Sequence, residues 1–310
     1  MQNLSRRVVV LGTGGTIAGA SAEALDNVGY VAAQHGVERL VATVPALATA
    51  ALEAEQVVQL DSKDMDLSAW RALARRAAHH LAREEVAGLV VTHGTDTLEE
   101  TAWFLQRVLA PARPVVLTAA MRPATALAPD GPQNLLDAVT VAQSPGARGV
   151  VAVMAGRVHG ARDVRKVHPY RVDAFTSGEA GPLGVVEEGV VRRFRPWPED
   201  AAAVGVARLP DDDDAWPRVE IVTSHAGASG GIVRALVANG VRGLVVAATG
   251  NGTVHRALEA ALREAQAAGV RVVRSTRCRD GRVIGGDAAL PGAGDLTPEK
   301  ARVEVMLGLL

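Results

Sequence analysis

A short apolar run, Val8-Val9-Val10-Leu11, passes without a polar break into Gly12-Thr13-Gly14-Gly15-Thr16-Ile17. A strand that is apolar at every position has both faces covered, which points to the interior of a parallel sheet flanked by helices. The glycines allow a sharp turn and leave Thr16 at the carboxyl end of the strand, where open α/β sheets bind ligands. The same layout returns at Val90-Val91-Thr92-His93-Gly94-Thr95-Asp96-Thr97. Two such turns suggest one pocket in which two threonines face each other, an arrangement suited to acyl transfer.

The alternation runs on along the chain. Residues 7–11, 56–60, 88–92, 114–118 and 149–154 read as strands, and 67–82, 97–109 and 132–142 as helices. Strands at 219–223, 243–248 and 270–275 then alternate with helices at 229–238 and 254–268, and Thr297-Pro298 opens a last helix as N-cap and first residue. The pattern is α/β. It predicts a larger N-terminal domain with a mostly parallel mixed sheet and a smaller C-terminal βαβαβ domain with a parallel sheet. Arg195-Pro196-Trp197-Pro198, followed by Pro210 and Asp211-Asp212-Asp213-Asp214, reads as an exposed linker. The expected boundaries are 1–195, a linker at 196–217, and 218–310.

Composition excludes several classes. The 310 residues are 48% hydrophobic but only 3% aromatic, so the core must rest on Val, Leu and Ala. A net charge of −1 gives no pull toward nucleic acid or an anionic membrane. The single cysteine, Cys278, permits no intrachain disulfide and fits a reducing compartment, so the expected location is the cytoplasm. No apolar run approaches the ~20 residues that span a bilayer. Ser5-Arg6-Arg7 before Val8 mimics a twin-arginine signal, but the run is short and broken by Gly12, Gly14 and Gly15. It reads as a buried first strand, with secretion or a periplasmic location as the alternative.

The turns need not be sites. The dinucleotide pattern requires a third glycine where Ile17 stands, and no Gly-Lys-Ser/Thr follows, so phosphate binding is not indicated. Asp96 with Glu99, or Thr97 with Glu100, has capping-box spacing, which offers Thr95 and Asp96 a plain role at a helix start. His93 alone reads as a structural histidine, and Lys166 in Arg165-Lys166 as a surface base. Asp61-Ser62-Lys63-Asp64, Ala119-Ala120-Met121-Arg122-Pro123 and Ala248-Thr249-Gly250-Asn251-Gly252 nevertheless follow strands too. Polar groups converging on one sheet edge carry more weight than any one of them.

Taken together, these pieces resemble the bacterial L-asparaginase and glutaminase-asparaginase family. The matching stretches are Thr13-Gly14-Gly15-Thr16-Ile17-Ala18-Gly19, Thr92-His93-Gly94-Thr95-Asp96-Thr97, Ala120-Met121-Arg122-Pro123, Asp130-Gly131-Pro132, Arg162-Asp163-Val164 with Lys166, and Gly250-Asn251-Gly252, in family order. The resemblance implies an amidohydrolase that converts L-asparagine to L-aspartate and ammonia, with weaker glutaminase activity, and no metal or organic cofactor. It implies Thr16 as first nucleophile, assisted by Tyr30 on a mobile loop, and Thr95, Lys166 and Asp96 as a second cluster. Ser62 and Asp96 would hold the substrate's α-carboxylate and α-ammonium, with Asp61, Gly15, Gly94 and Ala120 lining the site. It also implies a homotetramer, a dimer of dimers, with Asn251 near the site of a neighbouring subunit.

Two positions depart from the family. Lys63 stands where members often carry a neutral polar residue near the α-ammonium, and two cations about 4 Å apart repel by ~4 kcal/mol at an effective dielectric near 20. Lys63 is therefore expected to point away or to reach an acid. Between Cys278 and Pro298 there is no glutamate, only Asp280, Asp287 and Asp295, with Asp287 as candidate substitute for a partner-subunit glutamate. Both changes predict weakened α-amino recognition that rests mainly on Asp96. Competing readings are a broad glutaminase-asparaginase, a dinucleotide-binding oxidoreductase, a tRNA-dependent amidotransferase subunit and an inactive binding protein. The absent third glycine disfavours the oxidoreductase, the short segment before the first strand disfavours the amidotransferase subunit, and intact Thr16, Thr95, Asp96 and Lys166 disfavour the inactive protein.

Overall fold

The computed structural model describes residues 7–21, 23, 25–26, 28–199, 203–285 and 290–310. They form two compact units that divide between Ala207 and Arg208. In the first, the chain runs β1 (Arg7–Gly14), α1 (Val37–Ala42), β2 (Leu52–Leu60), α2 (Leu67–Leu81), β3 (Val86–Thr92), α3 (Leu98–Leu109), β4 (Val115–Thr118) and α4 (Gly131–Gln143). It continues through β5 (Val150–Met154), β6 (Arg157–Gly160), β7 (Arg165–Lys166), β8 (Phe175–Thr176), β9 (Gly184–Glu187) and β10 (Val190–Arg193). The second unit contains β11 (Val219–Thr223), α5 (Gly231–Ala238), β12 (Gly243–Ala248), α6 (Arg256–Ala267), β13 (Arg271–Thr276) and α7 (Pro298–Gly308).

The apolar runs are the centre of an eight-stranded sheet in the order β10-β9-β6-β5-β4-β3-β1-β2. From β5 to β2 all neighbours are parallel, whereas β6, β9 and β10 pair antiparallel. Val8, Val9, Val10, Leu11, Val90, Val91, Val115, Val116, Val151 and Val153 are fully buried, each such side chain adding about 1.5–3 kcal/mol of burial. Helices close both faces. On one, Leu135, Ala138 and Val139 of α4 pack on Val90, Val116 and Val151. On α2 and α3, Trp70 stacks on Phe104 with centroids 4.7 Å apart, and Trp70 Nε1 donates to Thr101 Oγ1 at 2.8 Å.

The mixed sheet and the parallel second sheet match the expected architecture, and β11 and β12 fall on the expected residues. In that second unit β11, β12 and β13 pair in parallel, and α7 packs across all three strands. Thr297 Oγ1 accepts from Lys300 N, the N-cap expected there. Helix α1 and strands β6, β9 and β10 were not marked by apolar runs. The antiparallel strands are four residues each; His159 on them is buried and shares a 2.8 Å hydrogen bond with Ser177 Oγ, whereas Arg157, Arg192 and Arg193 are exposed, as strands toward a sheet edge allow. Strand β2 starts four residues before the expected Gln56 for the same reason. As the opposite edge strand it alternates Leu52-Glu53-Ala54-Glu55 instead of staying apolar. In the stretch read as a linker, Trp197 is buried in the first unit's core, and Val204 N and Gly205 N donate to Arg107 O and Val108 O at 2.9 and 3.0 Å.

The acids of β2 are matched by bases of α2. Arg76 donates to both oxygens of Glu55 at 2.5 and 2.8 Å. His80, buried beneath, donates from Nε2 to Glu55 at 2.7 Å and accepts from Arg83 at 2.8 Å. The Arg76 hydrogen bonds pull the Glu55 carboxyl down to about 2 from its usual 4.5, despite partial burial. The unfolded chain then takes up the proton first as pH falls, so this contribution is complete above pH 4.5 and is lost on acidification through pH 2. Glu55→Gln should lower unfolding free energy at pH 7 by up to about 3 kcal/mol and flatten the decline of Tm between pH 4.5 and 2, read by calorimetry.

Candidate active site

Four neighbouring parallel strands, β4, β3, β1 and β2, end on one edge, and each is followed by one of the predicted turns. What brings the turns together is backbone contact. Gly14 and Gly15 both have positive φ, 101° and 82°, a region L side chains avoid. A methyl group on Gly15 would collide with Cα and N of Gly94 and lie 2.7 Å from the His93 carbonyl carbon. One on Gly94 would strike the Ser62 hydroxyl. The turns after β1, β3 and β2 are thus stacked glycine on glycine on serine. Thr13 Oγ1 donates to Thr92 O at 2.9 Å and Gly15 N to Leu60 O at 3.0 Å, fixing that stack from below.

Two hydroxyl clusters flank it. Thr16, 6% exposed, opens a single helical turn, and its Oγ1 shares a 2.6 Å hydrogen bond with Tyr30 Oη. Tyr30 reaches it because its loop is bound to the turn: Ala20 bridges Val31, Ala33 N donates to Gly15 O at 3.1 Å, and Gln34 N donates to Ala18 O at 2.7 Å. On the other side Lys166 Nζ donates to Thr95 Oγ1 at 2.8 Å and to Asp96 Oδ1 at 2.6 Å. Thr95 is also 6% exposed, and the Lys166 side chain 19%, whereas the Asp96 side chain is half open to solvent.

Ser62 joins the clusters. It is buried, its Oγ accepts from Asp96 N at 3.2 Å, and its carbonyl accepts from Thr97 Oγ1 at 2.8 Å. These bonds correct the capping-box reading. Thr97 stands at the N-cap of α3 but makes no side-chain cap. The Asp96 N–H is taken by Ser62, and the Asp96 carboxylate by Lys166. Asp61 instead caps the short turn it opens, accepting from Lys63 N at 3.3 Å. Ala120 is buried beside Ile17 and Ala18 under the Thr16 turn. His93 keeps its structural role: Nδ1 donates to Gly94 O at 2.7 Å, and complete burial holds the imidazole down to about 4, hence neutral near pH 7.

Among the described residues no group of three or more His, Cys, Asp or Glu side chains converges as a metal site would. The two turns that meet at the Gly15–Gly94 contact each carry a threonine in a side-chain hydrogen bond, Thr16 with Tyr30 and Thr95 with Lys166. The family model described as "Asparaginase, N-terminal" matches residues 7–198, and that described as "Glutaminase/Asparaginase C-terminal domain" matches 218–310. The chain belongs to the asparaginase family. It is 39% identical over 312 aligned residues to the glutaminase-asparaginase of Pseudomonas fluorescens biotype A, covering 97% of this chain and 86% of that one. It is 37% identical to L-asparaginase 2 of Bacillus subtilis, covering 97% and 81%. A solved structure of a probable cytoplasmic L-asparaginase from Campylobacter jejuni is similar at TM-score 0.91 and 37% identity, covering 98% of this chain and 94% of that one.

Within this asparaginase-family site, the structure also reveals supports that spacing did not single out. Asp130 accepts from Met121 N and Arg122 N, both at 3.0 Å, and so shapes the turn after β4. Gly131 lies where a methyl would come within 2.9 Å of Ile17. Lys63 ion-pairs with Asp64, at short range, and with Asp61 at 3.7 Å, so it reaches acids as expected. Asn251 lies in the second unit, where its amide pairs with both the N–H and the carbonyl of Ile284 at 2.7 and 2.8 Å. Asp287 lies outside the described residues. Because displacement of about 1 Å can cost ~100-fold in rate, Gly15→Ala should lower kcat for amide hydrolysis by at least tenfold. A variant with wild-type kcat would show that the stacked turns tolerate separation.

Proposed function

We propose that the chain hydrolyses L-asparagine to L-aspartate and ammonia through an ester on Thr16. The observation that carries this reading is the pairing of Thr16 with Tyr30 on one side of the Gly15–Gly94 contact and of Thr95 with Lys166 and Asp96 on the other. A carboxamide is a poor electrophile and a threonine hydroxyl a weak nucleophile, so a covalent intermediate divides one hard step into two easier ones. Thr16 Oγ attacks the carboxamide carbon, and its proton passes by way of Tyr30 to the departing nitrogen. Charge building on the amide oxygen is met by backbone N–H groups of the Gly94-Thr95 turn, each such donor being worth about 3–4 kcal/mol. The C–N bond breaks and ammonia leaves. Water then attacks the ester carbon, its proton passing to the Thr95, Lys166 and Asp96 cluster. The cluster returns that proton to Thr16 Oγ as the ester C–O bond breaks, and L-aspartate is released.

Ser62, Asp61 and Asp96 are the proposed holders of the α-carboxylate and α-ammonium, with Gly15, Gly94 and Ala120 forming the walls. Glutamine hydrolysis is a proposed weaker activity, because one methylene is worth only about 1–3 kcal/mol in a pocket, and the Pseudomonas relative is named for both substrates. A homotetramer in which Asn251 from a neighbouring subunit approaches the site follows from the family resemblance. The cytoplasm is the proposed location, supported by the Campylobacter relative's description and the lone Cys278. No helix among the described residues is long and apolar enough to cross a membrane.

Ammonia release from L-asparagine and L-glutamine tests the reaction directly. Thr16→Ala should lose more than about a thousandfold in kcat, and an unchanged rate would remove Thr16 from the mechanism. Lys63 tests recognition. Since Asp61 and Asp64 already balance its charge, Lys63→Gln should change the kcat/KM preference for L-asparagine over its analogue lacking the amino group by less than about threefold. A gain of tenfold or more would mean that the ammonium of Lys63 does repel the substrate.

A further inference from the structure

The geometry points to Glu99 as the positioning residue that sets where Lys166 stands, an inference that rests on the proposed role of Lys166. Lys166 belongs to β7, two residues long, which pairs with the two residues of β8 in a sheet separate from the eight-stranded one. In that ribbon the next ladder bond runs from Val167 N to Ala174 O at 2.8 Å, so the Lys166 N–H faces away from β8. The Glu99 carboxylate accepts it at 3.0 Å across 67 residues of sequence. Glu99 sits in the first turn of α3, directly after the Thr95-Asp96-Thr97 turn. The turn that carries the hydroxyl and carboxylate touched by Lys166 Nζ therefore runs straight into the helix whose first turn grips the Lys166 main chain. The capping-box spacing of Asp96 and Glu99 is put to a different use: Ser62 takes the Asp96 N–H, and Glu99 takes that of Lys166.

The test compares three substitutions by steady-state ammonia release from L-asparagine and by amide hydrogen exchange at Lys166. Glu99→Gln keeps an oxygen at the same reach and should retain kcat within about threefold and keep the Lys166 amide protected. Glu99→Asp keeps the charge at the helix N-terminus but falls one methylene short, and Glu99→Ala removes the acceptor. Both should lose at least about tenfold in kcat, with KM changed less than about threefold, and both should expose the Lys166 amide to faster exchange. If Asp preserves kcat and Gln does not, Glu99 acts through charge and the inference is overturned. Wild-type exchange at Lys166 in Glu99→Ala overturns it too, and needs no activity. Lys166→Ala separates the two levels of the argument. If that variant keeps wild-type kcat, the proposed mechanism fails; if it is inactive while Glu99→Ala is fully active, only the role of Glu99 fails.

Discussion

The site depends on a main-chain contact, not on any one functional side chain. Gly15 rests on Gly94 and Gly94 on Ser62 with no room for a β-carbon at either glycine. Polar backbone brought so close must find hydrogen-bond partners, and Thr13, Leu60 and Thr92 provide them. That stack joins the turn that carries Thr16 to the turn that carries Thr95, and both threonines are nearly buried. The parallel sheet supplies the frame, since adjacent strands running the same way deliver their turns to the same edge.

Both lysines at this edge are set against acids. Lys166 is set against Asp96, and Lys63 against Asp61 and Asp64. His93, in the middle of the signature turn, is kept neutral by burial.

Strands with two buried faces announced themselves through unbroken apolar runs, and so the centre of the first sheet and both domains' parallel character could be read from composition along the chain. The edges could not. β2 alternates acids with partly buried apolar residues, and β10, the far edge strand, exposes Arg192 and Arg193 in succession, so neither shows an unbroken apolar run. In the site, Thr16, Thr95, Asp96 and Lys166 were readable only as an ordered set of motifs; each alone had an ordinary structural explanation. The destination of Glu99 was hidden because local spacing proposed a partner three residues away, while the actual one lies in a separate ribbon. Asp130 was visible as part of a motif, but its grip on Met121 and Arg122 required the fold.

The two-residue strand that carries Lys166 has a thermal consequence. A ribbon held by so few ladder bonds is among the first segments to open when a protein warms, well before a sheet whose strands are buried on both sides. On the proposed role of Lys166, loss of turnover on heating would then begin as a reversible detachment of one amine, with the eight-stranded sheet intact.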